Sequence, residues 1–212
     1  MTTELDIANG ALIKLGAVPL TSLAEDSQTA YYFNLIYTSI RDDLQRSYPW
    51  KTLIKRSELA ASANPPEWGY SFQFPLPADS IRVLDVRSSS SAIGQQIRTT
   101  KLDAWDLESG NILCDNEGPI YIRYLAIEVD PDNWDVMLRQ VITTAIAVEL
   151  CESITQDPTK KAQLAAELQT RLIQAASTDS FEMQPRTLED PSNYERIRWQ
   201  APGTTRSARA YK

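Results

Sequence analysis

Two carboxylates, Glu149 and Glu152, lie three positions apart, a spacing that sets both within one turn of a helix. Paired carboxylates are the one catalytic arrangement this composition leaves open. An enzyme that cut a glycosidic bond, as in peptidoglycan, would need two of them several ångströms apart, with one pKa raised by burial. Helices routinely carry such pairs on solvated faces, and no sugar-binding cleft signature accompanies this one. The chain has no histidine, which removes the side chain that titrates near neutrality and the usual general base of Ser and Cys nucleophile systems. Zinc-protease HExxH and His-containing zinc fingers are excluded with it. The seven glycines never form GxGxxG or a Walker loop, so neither an NTPase nor a dinucleotide enzyme is supported. Cys114 and Cys151 sit in apolar surroundings without CxxC spacing, which suits reduced core thiols rather than a disulfide framework or metal site. The expectation is a protein that is not an enzyme, with no catalytic residues, no metal and no cofactor.

Charge points instead to binding. Residues 192–212 hold Arg196, Arg198, Arg206, Arg209 and Lys212 against Glu195 alone, a net +4, so within a total of −7 the remaining chain carries −11. Interleaved with these cations are Tyr194, Ile197, Trp199 and Tyr211, anchors of the kind that dominate interfaces. Such a segment is attracted to an acidic partner surface. A disordered tail and a strand-gripping nucleic-acid contact are the alternatives, since Arg with Trp also stacks on bases. The acidic remainder repels phosphates, and the same acidity serves plain solubility.

The elements that must position these residues are legible from periodicity. The chain has 212 residues, 42% of them hydrophobic, enough for one sizeable core with or without a smaller annex. No run approaches the roughly 20 apolar residues of a membrane span, and the start MTTELDIANG lacks a signal peptide's layout, so the chain is expected to stay in the cytosol where it is made. Leu5, Ala8, Leu12 and Leu15 recur at helical spacing, with Gly16 and Pro19 as a stop. Ser22 and Glu25 read as a reciprocal cap for a second helix, striped by Phe33, Ile36, Tyr37, Ile40 and Leu44, that ends near Ser47. From Trp50 the pattern changes. Trp68, Tyr70, Phe72, Phe74 and Leu76 alternate as a half-buried strand with an exposed-looking aromatic run, ended by Pro75 and Pro77. Residues 81–86, 112–114 and 120–127 are further β-rich runs, separated by the serines at 88–91 and by Gly94, Gly110 and Gly118.

After Asp130-Pro131-Asp132 the helical period returns at Met137, Val141, Ala145 and Val148, apolar nearly all round and hence buried, running to about Ile154. Asp157-Pro158 restarts a fourth helix striped by Leu164, Leu168, Leu172 and Ala175, with Glu167 and Arg171 able to pair on its surface. Beyond about Met183 the apolar period stops. The expected fold class is α+β: a four-helix bundle interrupted by a small antiparallel β domain, with an extended C-terminal arm. The corresponding boundaries are 1–48 and 128–182 for the discontinuous bundle, 49–127 for the inserted β domain and 183–212 for the arm.

The order of these signals resembles the tail tubular protein A family of podovirus head-to-tail adaptors. The resemblance begins at Ala11-Leu12-Ile13-Lys14-Leu15-Gly16 and Pro19-Leu20-Thr21-Ser22-Leu23-Ala24-Glu25-Asp26-Ser27. It continues through the Arg46-to-Trp50 stretch RSYPW, the Tyr70-to-Leu84 stretch YSFQFPLPADSIRVL, and Gly110-to-Cys114 with Ile120-to-Tyr124. These motifs are caps, turns and core positions, and they carry a role by analogy. The resemblance implies a structural virion protein of the phage neck, assembled in the host bacterial cytoplasm. It would form a homo-oligomeric ring of about twelve copies below the portal. Tail nozzle protein, and fibres, would attach beneath it, with DNA passing through the lumen without specific binding and no membrane involved. The basic arm, Tyr194 to Lys212, would then dock on the portal. A head-completion connector of another phage type is the nearest alternative, against which the Pro-Leu-Pro-Ala-Asp turn of an inserted β domain argues. A cell-wall hydrolase and a generic helical scaffold or chaperone are the others.

Overall fold

The computed structural model describes residues 1–93 and 96–181. Among these residues the fold is α+β, with four α-helices and two antiparallel sheets. Among the described residues no helix is long and apolar enough to cross a membrane.

Helix α1 spans Glu4–Leu15. Thr3 caps it: its hydroxyl accepts from the Asp6 amide, and the Asp6 carboxylate accepts from the Thr3 amide in return. Gly16 ends it at φ 73°, a left-handed conformation that costs glycine little and other residues more. Helix α2 spans Gln28–Ser47, ending where its sequence predicts. Its cap differs from the expected one. Ser27, not Ser22, accepts from the Ala30 amide at 3.2 Å, while Glu25 takes both the amide and the hydroxyl of Thr21. The Ser22 and Glu25 pattern therefore folds a tight turn of its own ahead of the helix, because the first buried residue of the α2 stripe is Ala30, three positions after Ser27.

Strands follow in the order β1 (Ile54–Leu59), β2 (Phe72–Pro75), β3 (Ser80–Ile93), β4 (Gln96–Lys101), β5 (Asp106–Glu108), β6 (Asn111–Cys114) and β7 (Ile120–Ala126). They pair as β1-β7-β3-β4 and as β2-β6-β5, two sheets where the sequence suggested one. The expected strand through Trp68 and Tyr70 shortens to β2, because Pro65, Pro66 and a left-handed Gly69 at φ 91° prevent regular pairing before Phe72. The serines at 88–91 do not interrupt β3. Ser88 faces Ile120 on one side and Thr100 on the other, and the ladder absorbs the serine run with a register shift between Ser89 and Ser91. The aromatic run is not uniformly exposed either: Phe74 is completely buried and Phe72 half-buried, while Trp68 is 86% exposed.

Helix α3 spans Val136–Ile154 and buries residues on every side, among them Leu138, Val141, Ile142, Ile146 and Leu150. Such a helix belongs in the middle of a core. Its buried Thr143 and Thr144 satisfy their hydroxyls on the carbonyls of Arg139 and Gln140, each 2.8 Å away. Helix α4 spans Pro158–Phe181, with the Asp157 carboxylate accepting from the Thr159 and Lys160 amides. Helices α1, α2 and α4 all pack on α3. Gly10 marks the closest approach of α1: an added Cβ would meet the Thr143 methyl at 3.0 Å. At the other end Lys160 donates to the carbonyl of Leu15 at 2.6 Å, a cation placed on the C-terminal dipole of α1. Glu167 bridges Lys14 at 2.6 Å and Arg171 at 2.7 Å, tying α4 to α1 and including the predicted surface pair.

Two apolar cores result. Residues of all four helices make the larger one; Leu59, Phe74, Val86, Ile112 and Ile120 belong to the smaller one between the sheets. Strand β7 serves both. Ile120, Ile122, Tyr124 and Ala126 face the sheet core, and Leu125, with no exposed surface, enters the helical core.

Candidate interaction surfaces

Tyr194, Arg196, Ile197, Arg198, Trp199, Arg206, Arg209, Tyr211 and Lys212 lie outside the described residues.

Glu149 and Glu152 do share an exposed side of α3. Glu152 pairs with Lys161 at 2.7 Å, and that ammonium holds its carboxyl below the usual carboxylate range. A general acid needs the opposite shift, imposed by burial, and exposed Glu152 is held the other way. Both thiols are free and buried, and burial pushes the Cys114 thiol up, away from the reactive thiolate. Among the described residues no three His, Cys, Asp or Glu side chains are grouped to hold a metal ion.

The junction between helices and sheets is polar and highly specified. Gln45 on α2, completely buried, donates to the Glu128 carbonyl at 2.8 Å and accepts from the Glu128 amide at 3.0 Å. Trp134 donates to the same carbonyl at 2.9 Å. Nearby, Asp79 joins Lys55 at 2.8 Å and the Tyr124 hydroxyl at 3.2 Å, and the lysine keeps that carboxyl below its ordinary range. Arg46 adds a hydrogen bond to the carbonyl of Ile81. The turn from Pro75 to Asp79, prominent in the sequence, is thus fastened to strands β1 and β7.

Beside this junction the first residues of the chain meet the segment between β7 and α3. They form a shallow groove of about 520 Å³ lined by Met1, Thr2, Glu4, Glu128, Val129 and Asp132, among others. The Asp132 carboxylate accepts from the Thr2 amide at 2.9 Å, and Arg139 donates to the Thr2 hydroxyl at 2.5 Å. These contacts close two pieces of chain far apart in sequence, so no local pattern announces the groove. The acidic run Glu128-Val129-Asp130 with Asp132 was the available signal, and only the fold sets Met1 and Glu4 against it. Other exposed apolar surface includes Trp68 on the loop before β2, and Tyr31 with Leu35 one turn apart on the outer face of α2.

These features define an α+β protein with polar chemistry concentrated at a structural junction. No family model matches the chain, and no curated protein is significantly similar to it.

Proposed function

We propose that the chain is a ring subunit of a phage head-to-tail adaptor of the tail tubular protein A type, sitting between portal and tail nozzle in the virion. The observation that carries this reading is the discontinuous helical core: α1, α2 and α4 pack on α3, and Leu125 of a strand from the intervening sheets joins their cluster. We read that organisation as a discontinuous four-helix bundle, 1–48 and 128–182, interrupted by a β domain, 49–127. The motifs behind the resemblance also sit at positions with a structural job. Gly16 is the left-handed cap of α1, Trp50 is buried with its indole donating to the Leu44 carbonyl at 2.9 Å, and Asp79 locks the turn before β3. The −11 carried by the chain outside residues 192–212 suits the wall of a DNA conduit, from which phosphates are repelled.

In this reading about twelve copies form the ring, and the basic arm docks on the portal. Ordering an arm costs on the order of 1–2 kcal/mol per residue, so a lone arm binds weakly and a ring of arms binds together. Negative-stain electron microscopy of the purified protein, alone and mixed with its phage's portal, tests the proposal. Rings, or added density below the portal, are expected; particles that ignore the portal would overturn it. Deleting residues 185–212 should abolish capture by the portal, and unimpaired capture would remove the arm's assigned role.

A further inference from the structure

Three observations converge on one end of the helical body. The first is the groove itself, which offers apolar contact through Met1 and Val129, the latter 54% exposed. Glu4, Glu128, Asp130 and Asp132 line it with negative charge, offset in part by Arg139 behind Thr2.

The second is where the described chain stops. The Tyr48 hydroxyl donates to the carbonyl of Ala176 at 3.2 Å, and Gln45, one turn earlier on α2, bonds the backbone of Glu128 in the groove. Helix α4 is described as far as Phe181, and this last described residue belongs to the end of the helical body that carries the groove. The third is complementarity. The 21 residues 192–212 carry +4 and include Ile197 and Trp199, apolar side chains flanked by guanidinium groups.

We propose that residues 192–212 of the same chain dock in this groove in the free subunit. Residues 182–191 are the tether, able to span at most about 36 Å. A short tether holds its segment at an effective concentration on the order of millimolar, so modest contacts suffice. Arg196 and Arg198 meet the carboxylates of Glu128, Asp130 and Asp132, and Ile197 or Trp199 covers Val129 and Met1. Both occupant and groove belong to this chain, so the inference does not depend on the adaptor reading. Where that reading holds, the docked arm must be displaced before it reaches a second protein, which delays assembly until a better acidic surface competes for it.

Disulfide trapping in the full-length chain tests this, since both native cysteines are buried. Val129→Cys with Ile197→Cys, in dilute protein with oxidised glutathione, should give an intramolecular disulfide about tenfold faster than Val18→Cys with Ile197→Cys. Val18 is the matched control: 84% exposed, beyond the far end of α1. Adding Asp130→Asn and Asp132→Asn, which keep a side-chain acceptor and remove charge, should bring the rate to that of the control. So should salt at about 1 M, without further substitution. Equal rates for the two cysteine pairs would overturn the proposal, as would a rate indifferent to salt. A product linked between two chains would overturn it in favour of docking in a second copy.

Discussion

Gln45→Met should loosen the junction between the helices and the sheets. The substitution keeps length and approximate volume, so it tests hydrogen bonding rather than packing. Two bonds disappear, those of 2.8 Å and 3.0 Å to the backbone of Glu128. Their loss is unequal. The Glu128 carbonyl keeps the Trp134 indole as donor at 2.9 Å, whereas the Glu128 amide has its partner in Gln45. An unsatisfied buried N–H costs about 1–3 kcal/mol, while the second lost bond, whose acceptor stays satisfied, adds about 0.5–1 kcal/mol at most. The expected destabilisation is therefore about 1–4 kcal/mol, or roughly 2–16 °C in Tm for a chain of this size. Urea unfolding followed by circular dichroism measures it, with Gln28→Met at the exposed start of α2 as the reference, expected within about 0.5 kcal/mol of wild type. Amide exchange at Glu128 should accelerate in parallel. A Gln45→Met protein as stable as wild type, with Glu128 exchange unchanged, would refute the reasoning that this one amide organises the junction.

Leu125→Ala should cost about 2–5 kcal/mol in the same assay, since the side chain is fully buried in the helical core and the site has little room to collapse. Trp68→Ser should leave stability within about 0.5 kcal/mol of wild type, because Trp68 is 86% exposed; a larger loss would mean that its ring packs on the protein. Glu167, held below its ordinary range first by Lys14 and then by Arg171, contributes stability that is complete above the unfolded value of 4.5 and is lost as pH falls through the lower folded value. Stability should thus decline with acid from about pH 4.5 downward, and Glu167→Gln should make that decline shallower; an unchanged slope would sink the assignment. With no histidine in the chain, unfolding midpoints between about pH 5.5 and 8 should lie nearly flat.

The helices were legible because their signals are local and redundant. Gly16, Ser47 and the Asp157-Pro158 restart bound three of them, and the all-round apolar pattern of α3 announced its central burial. Strands proved harder for physical reasons that particular residues display. Ile54–Leu59 reads as polar because β1 is an edge strand, pairing only with β7, and it contributes mainly Leu59 and Ile54 to burial. The serines of β3 look like punctuation, yet a strand flanked by β7 and β4 is held by backbone bonds that any residue except proline supplies. The junction was less visible still. Nothing about Gln45 in a helical stripe distinguishes a solvated amide from a buried one until Glu128 is folded against it, 83 positions away. Glu149 and Glu152 illustrate the converse, since spacing placed them on one side of a helix and could not reveal that Lys161 neutralises one of them.

Strand β7 has one further consequence. Its neighbours β1 and β3 hold it along both edges, one face lies in the sheet core, and from the other face Leu125 reaches the helical core beside half-buried Tyr121 and Arg123, so neither edge is free to fray. A load applied to the sheets passes to the helical core through a strand held along both edges instead of a pliable hinge. Torsional stiffness at this point follows: swinging the sheets relative to the helices would draw Leu125 from the helical core and break the Gln45 bonds to Glu128 and the Arg46 bond to Ile81 together, so the subunit resists strain as one piece.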